Sequence, residues 1–193
     1  NISDFVSSQI GNIKIEFSML ECGQHREANL IQEEDYTHIF EGLFYSVDFN
    51  KSFAGKTFLL VDVAQAEFGL IGQELQSVLG GNKELIRLEN EEFEEQFVVY
   101  SDDQIEARYI LSPNLMEKIV KFQNNCFGRI QMSFVENKLH IAIRYSYGMA
   151  LFEPKFYTSI VDSNDIQEYY ENLTWIGDLV KELNLNRKIW KKS

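Results

Sequence analysis

The sequence predicts an α+β domain: a mainly antiparallel sheet or partly closed barrel, with a mid-chain helix and a long C-terminal helix. Three observations carry this. Apolar residues alternate with polar ones at Asn12–Met19, Arg129–Val135 and Leu139–Tyr145, the period of a strand with one wet face. Ser112-Pro113 places an N-cap serine directly before a proline suited to a first helical position. Ile166, Tyr169, Leu173, Ile176, Val180 and Leu183 recur at three- and four-residue steps, so a helix of about five turns is expected over Asp165–Leu183.

Length and composition favour a single domain over all 193 residues, with frayed ends at 1–8 and 186–193. Hydrophobic content of 45% is ample for a packed core, and no Pro- or Ser-rich linker divides the chain. A formal charge of −12 disfavours nucleic acid as a partner, because phosphate binding needs a basic surface. The last seven residues reverse that balance with four basic groups, so the tail is a solvated end or a contact for a membrane surface or another protein. Cys22 and Cys126 are too few for a disulfide framework and point to reduced thiols.

In order along the chain, Gly11 precedes the first alternating strand, and Glu21–Tyr36 reads as a polar loop or hairpin connection. His38–Phe49 has apolar groups on both parities, as in a strand covered on both faces, and Gly42 within it suggests a bulge or a close backbone approach. Lys56–Val63 reads as the next strand, and the two strands suggest a hairpin. Leu75, Val78 and Leu79 permit a short helix ended by Gly80-Gly81, and Glu84–Leu88 a short strand.

Asn90 is a helix cap followed by Glu91 and Glu92, which complement the dipole of a first turn, with Phe93 and Phe97 on one face. Phe97–Tyr100 is β-prone, and Ser101-Asp102-Asp103 caps a turn of helix through Ala107. From Pro113 to Asn124, Leu115, Ile119 and Phe122 form an apolar stripe flanked by Met116 and Val120, and Glu117 and Lys121 form a favourable i,i+4 pair. Glu136-Asn137 joins the last two alternating strands as a hairpin, and Leu151-Phe152 is one more short strand before Pro154. The element order suits a pleckstrin-homology-like barrel or, alternatively, an open sheet with both helices on one face.

No sequence motif names a reaction. The phosphate loop G-x-x-x-x-G-K-S/T, the dinucleotide fingerprint G-x-G-x-x-G and the nucleophile elbow G-x-S-x-G do not occur, and no cofactor is implied. The most suggestive polar cluster is Asp102, Asp103, Glu106, Arg108 and Tyr109. Paired carboxylates can share a proton or hold a divalent metal, yet the same residues serve as turn former, helix cap and ion-pair partner. Cys22 and His25 lie three apart, but no third ligand or orienting acid accompanies them. His38 and His140 read as strand residues, and the five glutamates of Glu89–Glu95 as helix-start charge.

The stretch FEEQFVVYSDDQIEARYILSPNLMEKI, Phe93–Ile119, resembles the bacterial domain of unknown function 3137 (DUF3137) family. Ile10–Leu20 is similar to the family's early strand, Phe40–Leu60 to its central segment, and the strand pair ending at Leu151–Pro154 is compatible, so the resemblance spans about Ile10 to Pro154. It implies no assigned activity and no catalytic residues. It does imply two membrane-spanning helices ahead of the soluble domain, which this sequence does not contain. The functional expectation is therefore a non-enzymatic interaction or ligand-binding domain, on the cytoplasmic side of the bacterial inner membrane and anchored upstream of Asn1. Its partner would be a protein or a small ligand. The alternative expectation is a metal-dependent hydrolase using Asp102, Asp103 and Glu106.

Overall fold

The computed structural model describes residues 2–26, 35–48, 52–61, 84–126, 128–145 and 163–185. Eight strands form one sheet: β1 (Ile2–Ile10), β2 (Ile13–Arg26), β3 (Asp35–Asp48), β4 (Thr57–Val61), β5 (Glu84–Ile86), β6 (Phe97–Ser101), β7 (Arg129–Val135) and β8 (Lys138–Arg144). Their order is β1-β2-β3-β8-β7-β4-β6-β5, with every pair antiparallel. The sheet is open. β1 and β5 are its two edges, so the partly closed, pleckstrin-homology-like barrel is corrected to the open-sheet alternative.

The described helices are α1 (Glu91–Gln96), α2 (Gln104–Ile110), α3 (Pro113–Asn125) and α4 (Ser163–Leu185). One apolar core joins them to a single face of the sheet. Ile15, Phe17, Leu43, Tyr45, Val47, Ile130, Met132, Phe134, Leu139, Ile141 and Ile143 supply the alternate strand positions. Leu115, Ile119, Val120, Ile176, Leu179, Val180 and Leu183 supply the helix stripes. The closing stripe is narrower than the heptad-like spacing predicts. Leu173 is 41% exposed, and the side chains of Ile166 and Tyr169 lie outside the described part, so the packing described runs from Trp175 to Leu183.

Local chemistry sets the helix starts. The Asn90 Oδ1 accepts from Phe93 N at 2.9 Å, the Asp103 Oδ1 from Glu106 N at 2.9 Å, and the Ser112 Oγ from Leu115 N at 3.3 Å. β7 and β8 meet through a two-residue turn in which Glu136 takes a left-handed φ of 57°.

Three connections differ from the sequence reading. Residues 2–8 are not a frayed end but part of β1, held by backbone pairing to β2. Of the two readings of Glu21–Tyr36 the hairpin connection holds, since β2 and β3 pair antiparallel, but its bounds are shorter: β2 continues to Arg26 and β3 begins at Asp35, in register as Arg26↔Asp35. β3 and β4 are not a hairpin, because the β7–β8 hairpin sits between them. That hairpin takes the free edge of β3 over seven paired residues, from Gly42↔Arg144 to Asp48↔Lys138. Gly42 marks a close backbone approach rather than a bulge: a Cβ there would overlap the Ile143 carbonyl oxygen. The expected helix near Leu75–Leu79 and the strand at Leu151-Phe152 lie outside the described residues.

Among the described residues, Tyr45 is a polar defect in the core. Tyr45 is fully buried, and its hydroxyl has no hydrogen-bond partner among the described residues. Burial raises its pKa, with the Cys126 thiol adding to the shift. Removing an unpaired buried hydroxyl while keeping the ring is favourable, so Tyr45→Phe is expected to gain about 1 kcal/mol in urea unfolding. A loss of stability would show that the hydroxyl is satisfied.

Candidate functional site

The acidic cluster assembles, but around backbone. Ser101 ends β6, and its hydroxyl lies 3.0 Å from the Thr57 hydroxyl and accepts from Asp103 N at 3.1 Å. This turns the chain so that Asp102, Asp103 and Glu106 face the segment between β3 and β4. The Asp102 carboxylate accepts from Lys56 N at 2.5 Å. The Glu106 carboxylate, only 5% exposed, accepts from Ala54 N at 2.5 Å and from Gly55 N at 2.6 Å. Asp103 caps α2 through Ile105 N and Glu106 N. Gly55 permits this approach: a Cβ there would lie 2.5 Å from the Asp102 Oδ1 and 2.8 Å from the Asp103 Cβ. The same segment is anchored from its other side, where Phe53 N donates to the Glu136 carbonyl at 2.6 Å and the Phe53 ring meets Phe134 edge-on.

Arg108 does not join the carboxylates. Its guanidinium donates to the Arg87 carbonyl at 2.6 Å, tying α2 to the chain that follows β5. Tyr109 is 43% exposed. Charge-assisted bonds from backbone N–H groups occupy the carboxylates of Asp102, Asp103 and Glu106, so the arrangement acts as a clamp on residues 52–56. Among the described residues, no group of three or more His, Cys, Asp or Glu side chains is placed to hold a metal ion.

His140 lies on the sheet face opposite the main core, stacked on Phe44 with ring centroids 5.5 Å apart. Burial, then the charge of Lys138, lowers its pKa below the ordinary 6.5. The folded chain therefore binds fewer protons at this site than the unfolded chain between the folded pKa and 6.5. Stability contributed by neutral His140 is present above pH 6.5 and is lost as pH falls below it, until the folded imidazole titrates. His140→Gln should flatten this part of a stability–pH curve; an unchanged slope would assign the effect elsewhere. The side chains of His25 and His38 lie outside the described part.

The feature that the sequence did not single out is a groove of about 510 Å³ between α3 and α4. Phe122 and Trp175 stack in it, with centroids 3.8 Å apart and planes at 12°. The Trp175 indole N–H donates to the Lys118 carbonyl at 3.4 Å, and Lys118 pairs with Glu182 at 2.7 Å. That ion pair, with a second hydrogen bond from Asn114, holds the Glu182 carboxyl below the usual range. The contacts Lys118–Glu182 and Phe122–Trp175 run in opposite chain directions, so the helices are antiparallel. The available signal was Trp175, which widens the α4 stripe beyond what the core covers.

Among the described residues, no helix is long and apolar enough to cross a membrane. No curated protein matches the chain. The crystal structure of the mycobacterial trehalose monomycolate transport factor A, TtfA, is similar at a TM-score of 0.45 and 12% identity, covering 93% of this chain and 72% of that one. The family described as "Protein of unknown function (DUF3137)" matches residues 38–185, starting within β3 and including α4 while leaving the β1–β2 pair outside. With most of its length inside that match, the chain belongs to the DUF3137 family.

Proposed function

We propose that this chain is a non-enzymatic binding domain whose partner sits in the groove between α3 and α4. The observation that carries the reading is the stacked Phe122–Trp175 pair lining an open trough of about 510 Å³, within the usual ~300–1,000 Å³ of ligand sites. The carboxylates that favoured hydrolysis are engaged by backbone donors. The proposal includes placement on the cytoplasmic side of the bacterial inner membrane, anchored upstream of Asn1. Cys22 and Cys126 are not in disulfides, which supports the reducing compartment of this proposal.

Titration with the uncharged dye Nile red tests the groove. Trp190→Phe leaves Trp175 as the sole tryptophan. Its emission should then change on dye binding. Thr174 is an exposed lining residue, so Thr174→Arg should weaken dye binding about tenfold, ~1.4 kcal/mol, without unfolding the chain. Dye binding that ignores Thr174→Arg would place the apolar site elsewhere.

A further inference from the structure

The outer edge of β1 is unguarded. Among the described residues no strand pairs with it, and Asp4–Gln9 are all exposed, Phe5 by 63% and Val6 by 41%. Folded chains usually blunt such an edge with lysine, proline or a bulge. β1 has neither lysine nor proline. Its register shift, between Ser3 and Val6, and its one charge, Asp4, both lie before the stretch Val6–Ile10. That stretch is uncharged and pairs with β2 residue by residue.

β1 and β2 join through the two residues Gly11 and Asn12, which makes Ile10 and Ile13 a hydrogen-bonded pair. Bonding to β2 then alternates along the strand. Val6 and Ser8 turn their backbone groups inwards, and Ser7 and Gln9 aim N–H and C=O at solvent. A second β1, antiparallel and related by a two-fold axis at Ser8, sets Ser7 opposite the partner's Gln9. Those outward groups then satisfy one another.

Charge fits this register and a second copy as occupant. Ser8 pairs with Ile15, which lies between Lys14 and Glu16, an ion pair at 2.6 Å. An axis at Ser8 lines Glu16 up with the partner's Lys14, and Lys14 with the partner's Glu16, about 14 Å apart across the intervening strands. An axis at Ser7 would set Glu16 against Glu16, and one at Gln9 would set Lys14 against Lys14. With the axis at Ser8, the two Asp4 carboxylates lie about 27 Å apart, far beyond the ~8 Å screening length. A chain of charge −12 thus meets its copy where nothing repels it.

We infer that β1 is the site at which two copies of this chain associate, through an antiparallel β1–β1 pairing centred on Ser8 that makes one continuous sheet of the two. The interface is independent of the α3–α4 groove. It is small, so the dimer is weak and reversible.

Sedimentation velocity over a rising concentration series tests it on the whole 193-residue chain, and a monomer–dimer equilibrium is expected. Ser7→Pro removes an outward N–H from each copy and leaves the bonds to β2. It should weaken the dimer about thirtyfold with the circular dichroism unchanged. Ser8→Lys and Ser8→Glu should each be monomeric, because like charges meet on the axis, and an equimolar mixture should dimerise again. In the unaltered chain, the amides of Ser7 and Gln9 should gain exchange protection as concentration rises, whereas Ser8 is protected throughout; this readout needs no variant to fold. A monomer at every concentration overturns the pairing, even where an unrelated extended peptide binds the edge. A dimer that Ser7→Pro leaves intact, or one in which the outward amides stay unprotected, places the interface elsewhere and overturns it as well. Failure of the Lys/Glu mixture to recover the dimer overturns the axis at Ser8.

Discussion

Gly42→Ala is expected to lose about 3 kcal/mol of folding stability, at the top of the usual range for overpacking. The methyl group would overlap the Ile143 carbonyl oxygen, with the Arg144 Cα only 3.1 Å away. Neither atom belongs to a flexible side chain. Relief therefore requires β3 and β8 to separate at the register Gly42↔Arg144, Leu43↔Ile143. Ile143 is fully buried, so the separation propagates into the core. Gly11 is the internal control. Its φ of +60° disfavours a side chain, but a Cβ there meets nothing within 4 Å. Gly11→Ala should cost only about 1 kcal/mol, the ordinary penalty for an L-residue in the left-handed region. Urea unfolding midpoints rank the two; equal losses would mean that the approach of β3 to β8 relaxes freely.

Glu106→Ala should be nearly as damaging, by about 2–4 kcal/mol, through a different route. It strips the acceptor from two backbone N–H groups, Ala54 and Gly55, in a partly buried setting, and each unpaired donor costs roughly 1–3 kcal/mol. Glu106→Gln keeps one acceptor oxygen but presents an amide N–H₂ group to the second donor, so it should fall between wild type and alanine. Hydrogen exchange gives the specific signature. Amides 54 and 55 should lose protection in Glu106→Ala while the β7–β8 hairpin keeps it. If amides 54 and 55 stay protected, the carboxylate does not hold the segment.

Legibility from sequence followed how local each determinant is. The β7–β8 hairpin, α3 and the caps at Asn90, Asp103 and Ser112 are written within a few residues of themselves. β1 was invisible because much of it is exposed, including Ile2, Phe5 and Val6; a strand held by backbone pairing alone needs no alternation. The outer ends of β2 and β3, Cys22–Arg26 and Asp35–Thr37, are missed on the same ground, since they extend past the ends of β1 and β8. The β7–β8 hairpin enters between β3 and β4, and its pairings with β3 join residues 90 (Asp48↔Lys138) to 102 (Gly42↔Arg144) positions apart, which no local window contains.

The acidic cluster was half legible. The run Ser101-Asp102-Asp103 read as a cap, of which Asp103 is the capping residue of α2, yet nothing near Glu106 reveals that its carboxylate reaches back 51 and 52 residues to Gly55 and Ala54. The groove was illegible because each wall looks like an ordinary amphipathic helix. Only the antiparallel packing of α3 on α4 brings Phe122 to Trp175.

The two candidate sites can be set against each other by following backbone amide shifts in separate titrations with Nile red and with magnesium ions. If binding belongs to the α3–α4 groove and the acidic turn is a clamp, the dye shifts residues 118–125 and 170–179, and magnesium leaves 101–109 in place. Saturable magnesium shifts at Asp102, Asp103 and Glu106, with the groove silent towards the dye, would contradict both halves of that claim.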